Sequence, residues 1–250
     1  MNKLRMFLAV LMSVMSLHAF SQGFTVDGIT YSVRSTGEKY EVQARGCLPE
    51  MTELRIPDKV SYDEHEYTVV SVYFNGNKGI VKVFIPDAVK EFQYNCFRDC
   101  SALEEVNISA NSALAKLGEW AFHSCSSLKK INIPDAVTEI PNHCFYSCSA
   151  LEEVNISTNS ALAKLRESAF SSCSSLKKIN IPDAVTEIPK NCFNGCSALE
   201  EVNISTNSVL TKLGEQTFYS CSNLKRINIP DAVTEIPKNC FNGCSALEEV

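Results

Sequence analysis

Histidine, tryptophan and glycine are scarce in this 250-residue chain, which holds four, one and ten of them. One histidine, His18, lies in the opening segment, so only His65, His123 and His143 remain for the body of the protein. None has a Gly-x-Ser-x-Gly nucleophile turn beside it. No glycine-rich phosphate loop and no dinucleotide fingerprint occurs. Nothing in the chain looks catalytic; a non-enzymatic protein is expected, without cofactor, metal or small-molecule substrate. Basic excess is missing as well: 23 Lys and Arg stand against 29 Asp and Glu, a formal charge of −6. Removing Lys3 and Arg5 with a leader makes it −6 − 2 = −8. Phosphate contacts require clustered Lys and Arg, which excludes nucleic acid and anionic membrane as partners. Long apolar runs are absent too. The run from Met6 to Leu17 is short of the roughly 20 residues that span a bilayer, so no membrane insertion is expected.

That first segment has its own logic. Lys3 and Arg5 form a positive head, the apolar run follows, and His18-Ala19-Phe20-Ser21 ends in small residues. This is the plan of a secretory signal over residues 1–21, cut near Ser21/Gln22 with Ala19 and Ser21 as the small pair. No cysteine lies near the cut, so a lipid anchor is not expected. The mature protein is expected to be secreted or on the cell surface.

Repetition is what the sequence has in abundance. Ile-Pro-Asp-Ala-Val-Thr-Glu-Ile-Pro starts at Ile133, Ile181 and Ile229, at equal intervals. Each interval holds two units. Leu103, Leu128, Leu151, Leu176, Leu199, Leu224 and Leu247 are separated alternately by 25 and 23 residues, and each opens Leu-x-x-[Val/Ile]. Ile80 to Ile85 is an earlier, less regular copy. Alternation after each leucine predicts one short strand per coil, and proline after the strand removes a ladder donor where the chain must leave the sheet. One coil cannot bury its apolar side alone, so the coils must stack into a solenoid with a continuous core.

Stacking turns each repeated position into a column. Phe97, Phe122, Phe145, Phe170, Phe193, Phe218 and Phe241 are expected to form a buried aromatic spine rather than a ligand box. The exposed strand positions run Glu104/Glu105, Lys129/Lys130, Glu152/Glu153, Lys177/Lys178, Glu200/Glu201, Lys225/Arg226 and Glu248/Glu249. A second column reads Lys116, Glu139, Lys164, Glu187, Lys212, Glu235. Identical units in register would oppose like charges; two alternating unit types avoid this and explain why the sequence repeats by pairs of units. The same face could equally serve as a striped recognition surface. Asn107, Asn132, Asn155, Asn180, Asn203 and Asn228 share one exposed position, where a ladder of stacked amides is expected. The Asn-Ile-Ser sequons at Asn107, Asn155 and Asn203 matter only in a eukaryotic secretory pathway.

Twelve cysteines in a secreted chain invite a disulfide framework. Seven (Cys100, Cys125, Cys148, Cys173, Cys196, Cys221, Cys244) fill one column, and Cys96, Cys144, Cys192 and Cys240 alternate with Ala121, Ala169 and Thr217 in another. A position that takes Cys, Ala or Thr wants a small buried side chain, and parallel Cβ vectors oppose bridging, so buried thiols are the reading preferred over disulfides or Cys-x3-Cys zinc sites. Asp87, Asp135, Asp183 and Asp231 recur once per two coils, about 10 Å apart, too far for two to share a Ca²⁺; they read as turn residues after proline.

The units Cys125–Cys148 and Cys173–Cys196 resemble the Treponema-type leucine-rich repeat of BspA-like surface proteins. Phe24 to Tyr31 with Val33, Leu54 to Pro57, and Tyr67 to Val72 resemble the segment such proteins place between signal and repeats. The resemblance implies an α/β-type repeat solenoid with one short parallel strand per 23- or 25-residue coil and an N-terminal β-rich cap. Expected boundaries are 1–21 for the signal, 22–79 for the cap and first irregular repeat, and 80–250 for the solenoid. The solenoid is expected to be truncated, because Val250 aligns with Val154 and Val202 inside a strand. The resemblance also implies a bacterial protein that binds an extracellular protein, such as the host matrix proteins fibronectin or fibrinogen, for adhesion. A structural spacer and a targeting module for a downstream domain stay open. The candidate binding face is the exposed strand column named above, from Glu104 to Asn228.

Overall fold

The computed structural model describes residues 23–35, 38–109 and 111–248. The expected leader, Glu249 and Val250 lie outside these residues. Six strands open the chain: β1 (Phe24–Val26), β2 (Ile29–Ser35), β3 (Glu41–Cys47), β4 (Glu53–Arg55), β5 (Lys59–Tyr62) and β6 (His65–Val72). Five of them form one sheet in the order β1-β2-β3-β6-β5, antiparallel except where β3 meets β6. Asp27 and Gly28 join β1 to β2 with φ of 48° and 79°, the paired positive values a tight hairpin turn needs. β4 belongs elsewhere. It pairs in parallel with β7 (Lys82–Ile85), Glu53 opposite Lys82, and is the first strand of the ladder.

The coils continue through β8 (Glu105–Ile108), β9 (Lys130–Ile133), the short β10 (Glu139–Ile140), β11 (Glu153–Ile156), the short β12 (Lys164–Leu165) and β13 (Lys178–Ile181). After them come β14 (Glu187–Ile188), β15 (Glu201–Ile204), β16 (Lys212–Leu213) and β17 (Arg226–Ile227), and the short strands β10, β12, β14 and β16 pair only with one another, apart from the front strands. Every neighbouring pair is parallel, as the repeat requires. In β9 and β13 the burial alternates as the pattern predicts: Ile131, Ile133, Ile179 and Ile181 are buried, and Lys130, Asn132, Lys178 and Asn180 are exposed.

The α/β label does not describe the molecule, because no helix occurs among the described residues. The back of each coil is a run of tight turns with two residues of positive φ four apart. These are Asn95/Asp99, Trp120/Ser124, His143/Ser147, Ser168/Ser172, Asn191/Gly195, Gln216/Ser220 and Asn239/Gly243. A left-handed residue breaks the i→i−4 pattern of a helix and turns its N–H out of the coil. Here that N–H points along the solenoid axis: Trp120 donates to the Asn142 carbonyl at 3.2 Å, and Ser124 to Tyr146 at 2.8 Å. The Phe122 N–H between them donates to Cys144 at 2.8 Å. The back of the solenoid therefore has its own inter-coil hydrogen bonds without being a sheet.

The core lies between these two walls. The phenylalanine spine is present and nearly parallel, with ring centroids of 5.2 Å from Phe122 to Phe145, 5.3 Å to Phe170 and 5.5 Å to Phe193 at 3–5°. It extends from Phe241 back to Phe74, a residue outside the expected column. The two cysteine columns differ in chemistry. Each thiol of the first donates to the phenylalanine carbonyl of the coil before: Cys125 to Phe97 at 3.0 Å, Cys148 to Phe122 at 3.0 Å, Cys173 to Phe145 at 3.1 Å. In the second column Cys144 stands between Ala121 and Ala169 as small buried bulk, while Cys96 at its start donates to the Val72 carbonyl at 3.0 Å and Thr217 donates to the Gly214 carbonyl at 2.7 Å. All twelve cysteines are free thiols, with Cys47 and Cys244 half-buried and the rest buried. Burial pushes the pKa of the buried thiols up, for Cys100 to about 12, which keeps the S–H proton available to donate.

Candidate functional site

All the candidate residues, Glu104, Glu105, Asn107, Lys129, Lys130, Asn132, Glu152, Glu153, Asn155, Lys177, Lys178, Asn180, Glu200, Glu201, Asn203, Lys225, Arg226 and Asn228, lie on one front face, and none is buried. The ladder beneath them is not uniform. β7 and β8 pair over four residues, as do β9 with β11 and β13 with β15. By contrast β8 and β9 pair at one position, Glu105 with Lys130, β15 and β17 at two, and β11 and β13 lie in separate sheets. The short strands agree: β10 pairs with β12 and β14 with β16, and no pairing joins β12 to β14. Tight and loose seams alternate, so the structural unit is a module of two coils, a Lys-type coil followed by a Glu-type coil.

The recurring aspartates supply the reason. The Glu-type coil carries two extra residues after its strand. Ser157 in that longer turn donates to Asp135 of the preceding coil at 2.5 Å, and the Ala161 N–H donates to the Asp135 carbonyl at 2.8 Å. Ser109 with Asp87 and Ser205 with Asp183 repeat the contact at 2.5 Å. Asp is thus more than a turn former. It clamps the longer turn back onto its own module, and no such serine–aspartate contact crosses to the following module among the described residues. The hydroxyls of the Asn-Ile-Ser motifs are the ones engaged.

Charge alternation closes both kinds of seam. The first column bridges the loose ones: Lys129 to Glu104 at 2.6 Å, Lys177 to Glu152 at 2.8 Å and Lys225 to Glu200 at 2.9 Å. The second joins coils within a module, Lys82 to Glu105 at 3.1 Å and Lys178 to Glu201 at 2.8 Å. Hydrogen bonds from Lys177 and Lys225 hold the Glu152 and Glu200 carboxyls below their ordinary pKa, and Lys177 and Lys178 rise in turn. In the further column Lys116 meets Glu91 at 3.5 Å and Lys212 meets Glu187 at 2.9 Å. Glu139 pairs with Arg166 at 2.8 Å rather than with Lys164, whose register position it shares. The asparagine ladder is discontinuous. Asn155 Nδ2 donates to Asn132 Oδ1 and Asn203 Nδ2 to Asn180 Oδ1, each at 2.9 Å within a module, and no amide bond crosses the loose seam between Asn155 and Asn180.

One cluster escaped the sequence reading. Trp120 stacks on His143 at 4.2 Å and 8°, and His123 stacks on Tyr146 at 5.1 Å and 5°, on the back of two adjacent coils. The signal was the spacing: 120/123 and 143/146 are the same two turn positions in successive coils. Burial, with Arg98 next, lowers the His123 pKa. Ser124 Oγ lies 3.0 Å and Asp99 Oδ1 4.0 Å from His123, but both address Nδ1. A nucleophilic relay needs the serine on one ring nitrogen and the carboxylate on the other, so this trio lacks that logic.

Short parallel strands that recur coil after coil over a single core, here a front strand of up to four residues joined from β9 to β17 by a second strand of two residues, define a leucine-rich-repeat protein. The chain belongs to the BspA-type leucine-rich-repeat family: residues 68–200 and 163–250 match its repeat region, in six copies. Its structure is similar to that of a Treponema pallidum leucine-rich-repeat protein, at 23% identity and a TM-score of 0.66, covering 85% of this chain and 92% of the other. A leucine-rich cell surface protein of Faecalibacterium prausnitzii is similar at 18% identity and a TM-score of 0.44, over 91% and 94%. A leucine-rich-repeat protein of Bacteroides capillosus reaches 27% identity and 0.47, over 54% and 98%. Comparison with curated proteins finds no match. Proteins of this fold typically serve as protein–protein interaction modules, and no helix among the described residues is long and apolar enough to cross a membrane.

Proposed function

We propose that this protein is secreted or held at the cell surface, and that its front face binds an extracellular protein in adhesion. One observation carries the reading. The candidate residues form a single solvent-facing surface that crosses the six coils from β8 to β17, and a long partner can engage such a face at many similar weak points. The leader pattern of residues 1–21 supports export. Residues 22–79 act as the N-terminal cap and first irregular repeat of a solenoid over 80–250: Arg34 and Gln43 reach Gln93 of the first coils at 3.1 and 3.3 Å, and β4 pairs with β7. The test is binding of the full chain to immobilised fibronectin or fibrinogen at two salt concentrations. Replacing Lys129, Lys130, Lys177 and Lys178 by Ser should lower it. Binding that ignores these four changes, or no binding at all, favours the spacer reading, to which the mutual pairing of the face's charges also points.

A further inference from the structure

The amides at the loose seam are not satisfied by one another. Asn155 uses its Nδ2 on Asn132, and Asn180 uses its Oδ1 on Asn203. What those bonds leave over on the two sides of the seam is an acceptor, Asn155 Oδ1, and a donor, Asn180 Nδ2. They line a front hollow of about 480 Å³ together with Glu152 and Lys177. A larger hollow of about 700 Å³ opens beyond the strand ends, between the longer turns at Ser157–Ser160 and Ser205–Asn207. Pro182 and Ala184 line it, and it takes in Asn180 and Asn203 as well. One module earlier the sequence again sets two asparagines, Asn107 and Asn132, across the β8–β9 seam with Pro134 and Ala136 beyond them, but there Asn107 lies opposite Phe84 and its Nδ2 has no amide partner within the module.

An acceptor and a donor on one face are the complement of one non-proline residue, whose own N–H and C=O can both turn toward that face. The spacing selects the conformation. Two coils advance about 9.6 Å at roughly 4.8 Å per strand. An extended β-strand presents the same face every two residues, about 6.8 Å, or every four, about 13.6 Å, and neither fits. A polyproline-II helix repeats every three residues at about 3.1 Å each, close to 9.3 Å, and its backbone groups have no internal partners.

We propose that the loose seams form a row of backbone sites for an extended polyproline-II segment running along the solenoid axis. In each triplet one non-proline residue meets the two amides through its N–H and C=O, and an apolar residue settles against Pro182 and Ala184, or against Pro134 and Ala136. This inference rests on the front face being the binding surface.

The probe is a labelled peptide of four Pro-Pro-Ser triplets, titrated against the full chain. A shuffled peptide of the same composition and a neutral dextran serve as comparisons. The triplet peptide should bind more tightly than the shuffled one. Asn155→Ala with Asn180→Ala should weaken it at least about fivefold, the loss of two modest hydrogen bonds. Ala184→Arg should weaken it too, leaving both amides in place, and guards against an unfolded double variant. Equal affinity for the shuffled peptide, indifference to these substitutions, or binding of dextran alone overturns the proposal. If the peptide fails while the four Lys→Ser changes still abolish matrix-protein binding, the row of sites is wrong and the adhesion reading stands.

Discussion

Cys148 and Cys144 sit four residues apart in one coil, both fully buried, and truncating each to alanine should not cost the same. Either change removes one sulfur from a packed core. That is about 1 kcal/mol, set by roughly 0.8 kcal/mol per methylene-sized group plus a small cavity. Cys144 loses little else, since its column neighbours Ala121 and Ala169 already carry the smaller side chain. Cys148 also loses the 3.0 Å bond from its thiol to the Phe122 carbonyl. A weak donor in a dry interior adds about 0.5–1 kcal/mol. The carbonyl is not orphaned, because the Cys125 N–H also reaches it at 3.1 Å, which keeps the penalty at the lower end. The expected losses are about 1 kcal/mol for Cys144→Ala and about 2 kcal/mol for Cys148→Ala. In a chain of this size that separates their melting temperatures by about 2–4 °C. Urea unfolding under reducing conditions, followed by circular dichroism, measures the difference. Equal losses at the two sites would refute the thiol–carbonyl account of the first column.

Three further predictions concern the thiols, the charge pairs and their titration. In native labelling with iodoacetamide, half-buried Cys47 and Cys244 should react first, the other ten only on unfolding, and mass spectrometry should find twelve free thiols; several native disulfides would contradict the columns. Lys177→Glu with Lys178→Glu replaces attraction to Glu152 and Glu201 by repulsion and should lower the melting temperature most at low salt, so unchanged melting there sinks the register argument. The pH profile has a fixed sign. The lowered carboxyl pKa of Glu152 and Glu200 gives stability that is present above the ordinary 4.5 and lost as pH falls through the folded values. The raised pKa of Lys177 and Lys178 gives stability present below 10.5 and lost as pH climbs through theirs.

The features legible in the sequence were those that the repeat displays many times over. A column of seven phenylalanines, or a position alternating Cys with Ala, has one physical explanation when coils stack. The back wall was harder. Asn95/Asp99, Asn191/Gly195 and Asn239/Gly243 are residues that tolerate the left-handed region, so the turns left a signal. It was hidden by serines, Trp120 and Gln216 at the same positions, which follow the inter-coil hydrogen bonds and not local preference. Charge alternation was readable, but not which seam each pair closes. That depends on the small difference in coil length and on the Ser157–Asp135 clamp, a contact between neighbouring coils. For the same reason a continuous asparagine ladder was expected where the structure has isolated pairs. The candidate face was legible as a surface because period two assigns its side chains outward. Its ligand was not, since recognition depends on what the amides leave unpaired.

The clamp and the paired seams also set how such a gene can change length. A duplication or deletion of one whole two-coil module swaps one loose seam for another of the same kind, with Glu meeting Lys and each Ser keeping its Asp. An event of a single coil would place Glu against Glu or Lys against Lys and leave one clamp without its mate. Recombination between the near-identical stretches that begin at Cys100, Cys148 and Cys196 moves by that larger step. Viable length variants of this protein should therefore differ by whole pairs of coils, and the length of the solenoid should be quantised in increments of about 10 Å.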